Sequence, residues 1–183
     1  MSTKDSVRSA EAVGSGAIIP LPACGRWHLL HTKSRQEKLL ADELQRMGIG
    51  HFLPLVKENR LYGKRKFRVE LPLFPGYVFL RGSIEDAYQA NRTHRVARII
   101  EVADQARVEW ELTNLNIALC HQATLDPYPF LKKGVRAEVR SGPLRGLQGL
   151  VENRSAGGRL VLQIEMLGRA LSLEVPGAVL DPV

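Results

Sequence analysis

The chain has 183 residues, of which 44% are hydrophobic and 25% charged, with a formal net charge of +7 and an isoelectric point near 9.7. That length holds one ordinary core or two small ones, and the composition excludes fibrous and wholly disordered proteins. No run approaches the roughly 18 apolar residues of a spanning helix, so the positive charge points to an acidic partner, nucleic acid before membrane. Cys24 and Cys120 stand far apart and in no metal-type spacing, which reads as free thiols in a reducing compartment, the cytoplasm.

Residues 1–25 are rich in Ser, Ala and Gly, show no apolar periodicity and carry mixed charges at Lys4, Asp5, Arg8 and Glu11, the pattern of a disordered tail. Leu21-Pro22-Ala23-Cys24 has the form of a lipoprotein cleavage site, but Glu11 and Pro20 interrupt the apolar core that an export signal needs. Order is expected from Trp27, with Trp27 to Thr32 as a first strand. Ser34-Arg35-Gln36-Glu37 then has the form of a capping box. Leu40, Leu44 and Met47 recur at helical spacing, and Gly48 stands where a left-handed terminator is wanted. His51 to Val56 reads as a second strand.

From Lys57 to Glu70 the chain carries six basic residues against two acidic ones, four of the net seven positive charges. Gly63 at the middle, with Tyr62, Phe67 and Val69 around it, predicts a β-hairpin tipped by Lys64, Arg65 and Lys66, a natural contact for phosphates. The next stretch, Leu71-Pro72-Leu73-Phe74-Pro75-Gly76-Tyr77-Val78-Phe79-Leu80-Arg81, is the most distinctive. Pro72 and Pro75 remove backbone donors and keep the first half out of a sheet interior, so a strand starts abruptly at Tyr77. Alternation puts Tyr77 and Phe79 on one face and Val78 and Leu80 on the other, and both faces are apolar. Either the domain covers both, or one belongs to a partner. A short helix over 84–90, a polar loop at Asn91-Arg92-Thr93-His94-Arg95 and a strand over 96–102 follow. The order strand, helix, strand, hairpin, strand, helix, strand predicts an α+β sandwich with a mainly antiparallel sheet.

Glu109 to Leu119 reads as one more helix, weakened by Asn114 and Asn116. Asp126-Pro127-Tyr128-Pro129 cannot continue it, so 121–130 reads as a linker between a domain over 26–120 and another over 131–183. The second domain has the rhythm of short strands. Leu160, Leu162, Ile164 and Met166 share one face, as do Leu171, Leu173 and Val175, which suits a small barrel without exposed edges. Within it lies Ala137-Glu138-Val139-Arg140-Ser141-Gly142-Pro143-Leu144-Arg145-Gly146-Leu147-Gln148-Gly149-Leu150-Val151. Gly142, Gly146 and Gly149 set between two hydrophobic alternations resemble the KOW motif of small barrels in transcription factors and ribosomal proteins.

Taken together, Trp27 before a helix opened by Ser, Arg and Gln, the basic hairpin, the Pro-Leu-Phe-Pro-Gly-Tyr-Val-Phe run and the C-terminal KOW barrel resemble the bacterial NusG family over about 26–183. The Pro-Leu-Phe-Pro run is most similar to its specialised RfaH-type paralogues. The resemblance implies an NGN-type N-terminal domain and a transcription elongation or antitermination factor. Its N-terminal domain would hold the clamp helices of RNA polymerase and suppress pausing, while its barrel would recruit ribosomal protein NusE or the termination factor Rho. Catalysis by this chain is not implied, and a monomer without cofactor or metal is expected.

Carried over by position, Phe74, Tyr77 and Phe79 match the family's aromatic contacts with the clamp helices. Thr93, His94 and Arg95, with Arg92 beside them, fall in the loop that reads the non-template DNA strand in the RfaH branch, together with Lys33, Arg35 and Gln36. Ser34 and Leu39 stand where further basic residues would help that reading. Leu167, Gly168 and Arg169 match the loop that meets NusE and Rho, with Leu in an aromatic position.

RfaH stores its C-terminal domain as a helical hairpin over the clamp site. Here the glycines at 142, 146, 149, 157, 158 and 168, with Pro143 and Pro176, would interrupt long helices, each interior Gly at about 1 kcal/mol and each Pro at about 3, which predicts a lasting barrel. A ribosome-associated or general RNA-binding KOW protein is the alternative that the charge allows. An enzyme is disfavoured: His28 and His31 are three apart on a predicted strand and so on opposite faces. No Cys or acidic cluster completes a metal site or triad.

Overall fold

The computed structural model describes residues 10–12, 21–62, 65–128, 134–151, 159–175 and 180–183, with the side chains of 10–12, 59–62 and 65–67 outside that description. In chain order the elements are Ala10–Ala12 (β1), Arg26–Thr32 (β2), Glu37–Arg46 (α1), Gly50–Phe52 (β3), Leu55–Tyr62 (β4), Arg65–Pro72 (β5), Tyr77–Gly82 (β6) and Ile84–Arg92 (α2). There follow Val96–Glu101 (β7), Gln105–Cys120 (α3), Thr124–Tyr128 (β8), Val135–Val139 (β9), Gln148–Val151 (β10), Arg159–Ile164 (β11), Arg169–Glu174 (β12) and Leu180–Pro182 (β13). The chain forms two compact units, one of Ile19–Thr113 and one of Met1–Ile18 with Asn114–Val183.

In the first unit β3, β6, β2 and β7 form an antiparallel sheet in that order. The alternation read from the sequence places Leu30, Val78 and Leu80 on one face, where they pack with Leu40 and Leu44 of α1, Ala90 of α2, Ile49 and Val96. All eight are buried, so this is the core of the unit. β4 and β5 form the expected hairpin, paired from Leu55↔Pro72 to Tyr62↔Arg65. The strand expected over 51–56 is split at Leu53-Pro54, since a proline lacks the donor that a continuous ladder requires.

Two helix starts differ from expectation. The Ser34 capping box does not form: α1 begins at Glu37 behind Gln36, with no side-chain cap. Glu37 is buried and its Oε1 instead accepts the Gly76 N–H at 2.7 Å, tying the helix start to the turn before β6. A capping box does form at α2, where Ser83 accepts from the Asp86 N–H and the Asp86 carboxylate accepts from the Ser83 N–H. It went unread because Asp rather than Glu supplies the return bond.

Among its described residues the second unit is β apart from the end of α3 and a short 3-10 turn, with an antiparallel order β13-β9-β10-β11-β12-β8 and β1 paired to β8. Within 121–130, expected as a linker, Thr124–Tyr128 is extended and pairs with β12 through Tyr128↔Ala170, Pro127↔Leu171 and Asp126↔Ser172. Proline excludes a helix there but not an extended edge segment. Likewise Ala10–Ala12, inside the expected disordered tail, is a strand; residues 1–9 and 13–20 lie outside the described residues. Met166 leaves its expected strand face for a short 3-10 turn over Glu165–Leu167.

The glycines of the KOW-like segment do different jobs. Gly142 and Gly146 have φ of +86° and +87°, and the Gly146 N–H closes the turn on the Val139 carbonyl at 2.8 Å. Gly149 is needed for space, since a Cβ there would meet the Val161 carbonyl oxygen at 2.8 Å. Val139 and Val151, the expected anchors, are both buried. Asn114, which weakened the helix reading, has its Oδ1 accepting the Gln148 N–H at 2.6 Å, so its side chain serves β10.

Candidate functional site

The second face of the four-stranded sheet carries Trp27, Leu29 and His31 of β2, with Arg81, Phe79 and Tyr77 opposite them on β6. Its two ends differ. At the Trp27 end the first turns of α3 close over it: the Trp27 indole N–H donates to Glu109 at 2.6 Å, the Trp27 backbone N–H donates to Gln105 at 2.7 Å, and Arg81 pairs with Glu109 at 2.6 Å. The Arg81 guanidinium also lies 5.2 Å over the indole ring. Toward the middle Phe79 is fully buried, 6.4 Å from the Phe52 ring and 6.3 Å edge-on to Phe74, which is 4% exposed.

Of the three expected aromatic contacts, two are enclosed in the free chain and one is accessible. Phe74 and Phe79 are core side chains here because the aromatic face packs three rings against one another before any partner arrives. The open end belongs to Tyr77, which is half-buried. Its ring lies 5.2 Å from that of His31, tilted by 32°. His31 is exposed, and its partner across the β2–β7 ladder is Arg98, also exposed. Tyr77, His31 and Arg98 thus make a row over three strands, an aromatic residue, an imidazole and a cation. The sequence reading missed His31 and Arg98, since cross-strand register and not local motif brings them to Tyr77; the signal available was the period-two placement of His31 on the Trp27 face.

The turn before β6 fixes that row. Gly76 has φ of +86°, and its carbonyl accepts the Thr32 N–H at 2.8 Å while its own N–H bonds Glu37. Just beyond Thr32 the predicted cationic loops meet: the Lys33 N–H donates to the Arg95 carbonyl at 2.8 Å. Lys33, Arg35, Arg92 and His94 are exposed, and both Arg35 and His94 hold φ of +59°. For residues with a Cβ that left-handed conformation is uncommon and persists where surrounding bonds enforce it. Arg95 is less available: it donates to Glu43 at 2.9 Å and to the Gln36 side-chain oxygen. Gln36 and Arg95 therefore shape the loops, with Thr93, whose hydroxyl donates to the Ala90 carbonyl at 2.7 Å and accepts from the Arg95 N–H. Lys64, and the side chains of Arg65 and Lys66, lie outside the described residues.

In the second unit, Leu167 is half-buried and Arg169 exposed at the end of the 3-10 turn, with Gly168 between them at φ of +59°. Among the described residues no group of three or more His, Cys, Asp or Glu is placed to hold a metal ion, and no helix is long and apolar enough to cross a membrane.

Compared with known families, residues 25–114 match the model of NusG, described as transcription termination factor nusG. No curated protein matches the chain significantly.

Proposed function

This chain belongs to the NusG family of transcription factors, and on that premise we propose that it docks on the clamp helices of RNA polymerase through the open end of its aromatic sheet face and suppresses pausing. The observation that carries the reading is the accessible row Tyr77, His31 and Arg98, placed at the end of the sheet where the cationic loops bearing Lys33, Arg35 and His94 begin. Phe74 and Phe79 support that row from below. A protein partner would bury the aromatic end, and the cations beside it would lie against the non-template strand, for which Arg35, Arg92 and His94 are the available contacts and Thr93, Gln36 and Arg95 the positioning residues. The hairpin cations Lys64, Arg65 and Lys66 add a second contact with nucleic acid.

Leu167, Gly168 and Arg169 serve as the partner surface of the KOW-like unit, with NusE favoured over Rho because Leu is a smaller anchor than an aromatic ring. The protein acts in the cytoplasm, without catalysis of its own. Specialisation of the RfaH type is supported by the Pro72 to Pro75 run. Transcription on purified elongation complexes tests the reading: the wild-type chain should shorten pauses, and capture by ribosomal subunits in preference to polymerase would instead favour a ribosome-associated protein.

A further inference from the structure

The loop from Lys33 to Gln36 joins β2 to α1, and a single glycine holds both of its ends. The Gly76 carbonyl accepts the Thr32 N–H at 2.8 Å just before the loop, and the Gly76 N–H donates to Glu37 Oε1 at 2.7 Å just after it. Beside these bonds stands the proposed polymerase surface: His31 precedes Thr32 and Tyr77 follows Gly76, their rings 5.2 Å apart. Between them stand Lys33 and Arg35 of the proposed nucleic-acid surface, both exposed. The second cationic loop is tied to the same frame, since the Lys33 N–H donates to the Arg95 carbonyl and the Arg95 guanidinium to the Gln36 side chain.

Glu37 is the least expected member of this frame. It is 7% exposed, and a carboxylate is costly to bury unless it is bonded. Its spacing from Ser34 would let it cap its own helix, yet it reaches across 39 residues of sequence to take the Gly76 N–H. The bond lies between two left-handed positions. Gly76 has φ of +86°, which glycine adopts freely, and Arg35 has φ of +59°, which a residue with a Cβ holds only where its surroundings enforce it. A Cβ at position 76 would lie 3.6 Å from the His31 ring, an ordinary contact, so Gly76 supplies conformation and not space. Release of its N–H from Glu37 would let the loop relax toward right-handed backbone, and the turn that sets Tyr77 against His31 would lose an anchor.

We propose that Glu37 is a positioning residue that couples the two surfaces, with Gly76 as the element they share. A single strand seated on Lys33 and Arg35 favours the held loop, and so does a partner seated on Tyr77 and His31. Each therefore strengthens the binding of the other, by the same factor in both directions. The coupling rests on the nucleic-acid and polymerase readings above, and adds that the chain holds its protein partner more firmly once the strand is in place.

Titration of the full chain with a fluorescent oligothymidylate, followed by anisotropy and by heteronuclear NMR, tests it. In the wild-type chain the amide signals of Gly76 and Tyr77 should shift together with those of the Lys33 to Gln36 loop, although neither residue belongs to the nucleic-acid surface. Glu37→Ala should weaken oligothymidylate binding about fivefold, a usual size for coupling between sites, and should leave the Gly76 and Tyr77 signals still while the loop signals move. Glu37→Gln, whose amide oxygen can accept the same N–H, should restore both the affinity and the shifts. A merely structural role for Glu37 would not separate the Tyr77 response from that of the loop. The wild-type titration needs no variant, so it decides the matter even if Glu37→Ala does not fold. Binding that moves the loop signals and leaves Gly76 and Tyr77 unmoved in the wild-type chain would overturn the coupling and keep the nucleic-acid reading. No binding at millimolar oligothymidylate would overturn both.

Discussion

The two faces of the four-stranded sheet are built from alternate residues of the same strands, yet one is finished and the other is not. Leu30, Val78 and Leu80 lie under α1 and α2. On the reverse, Trp27 is bonded to α3 and Phe79 is enclosed, but Tyr77, His31 and Arg98 are left at an accessible end. A strand that is apolar on both sides does not by itself declare a binding surface. What marks one is the point along a face where burial stops and charge begins.

That contrast can be broken most strongly at its buried middle. Phe79→Ala should cost about 3–5 kcal/mol, as large ring deletions in cores do, and Leu80→Ala about 2–5 on the other face. Chemical denaturation checks both, and a Phe79→Ala loss below about 1 kcal/mol would show that its face is not core. At the closed end Glu109→Gln should cost about 1 kcal/mol, a modest figure because the Glu109 side chain is 39% exposed and solvent weakens its pairing with Arg81.

A pH effect sharpens the finished face. The folded-state pKa of His28 is lowered, so below its ordinary 6.5 the unfolded chain binds more protons than the folded one. Stability should thus be full above about 6.5, fall as pH drops from there, and level off once below the folded value. His28→Phe should flatten that slope in urea titrations at pH 7 and pH 5; an unchanged slope would assign it to other groups. The smallest effect lies at the open end. In the cationic loops beside it, Arg92→Gln at an exposed position should leave stability within about 0.5 kcal/mol while reducing the salt dependence of binding to a single-stranded scaffold by roughly 0.7 per lost phosphate contact.

Much of this was legible in the sequence. The element order, the hairpin, the start of β6 after Pro75 and the burial of Val78 and Leu80 follow from period, proline position and turn chemistry. The departures arise where a side chain is used at long range. Ser34 and Glu37 have capping-box spacing, but Glu37 is recruited by the Gly76 N–H, 39 residues away. Asn114 lowers helix propensity and is held in place by a strand 34 residues on. Thr124–Tyr128 looked like a linker because its prolines forbid a helix, while its pairing with β12 depends on a strand more than 40 residues later. For the site, alternation put Tyr77 and Phe79 together correctly but said nothing of how far along that face burial would run. The row with His31 and Arg98 needed the register of two ladders.

The most direct test is Tyr77→Ala in a polymerase pausing assay with purified components, alongside denaturation of the same variant. The account predicts loss of the effect on pausing with a stability change of only about 1 kcal/mol, since the side chain lies at the open end. Undiminished pause suppression by a folded Tyr77→Ala protein would contradict it.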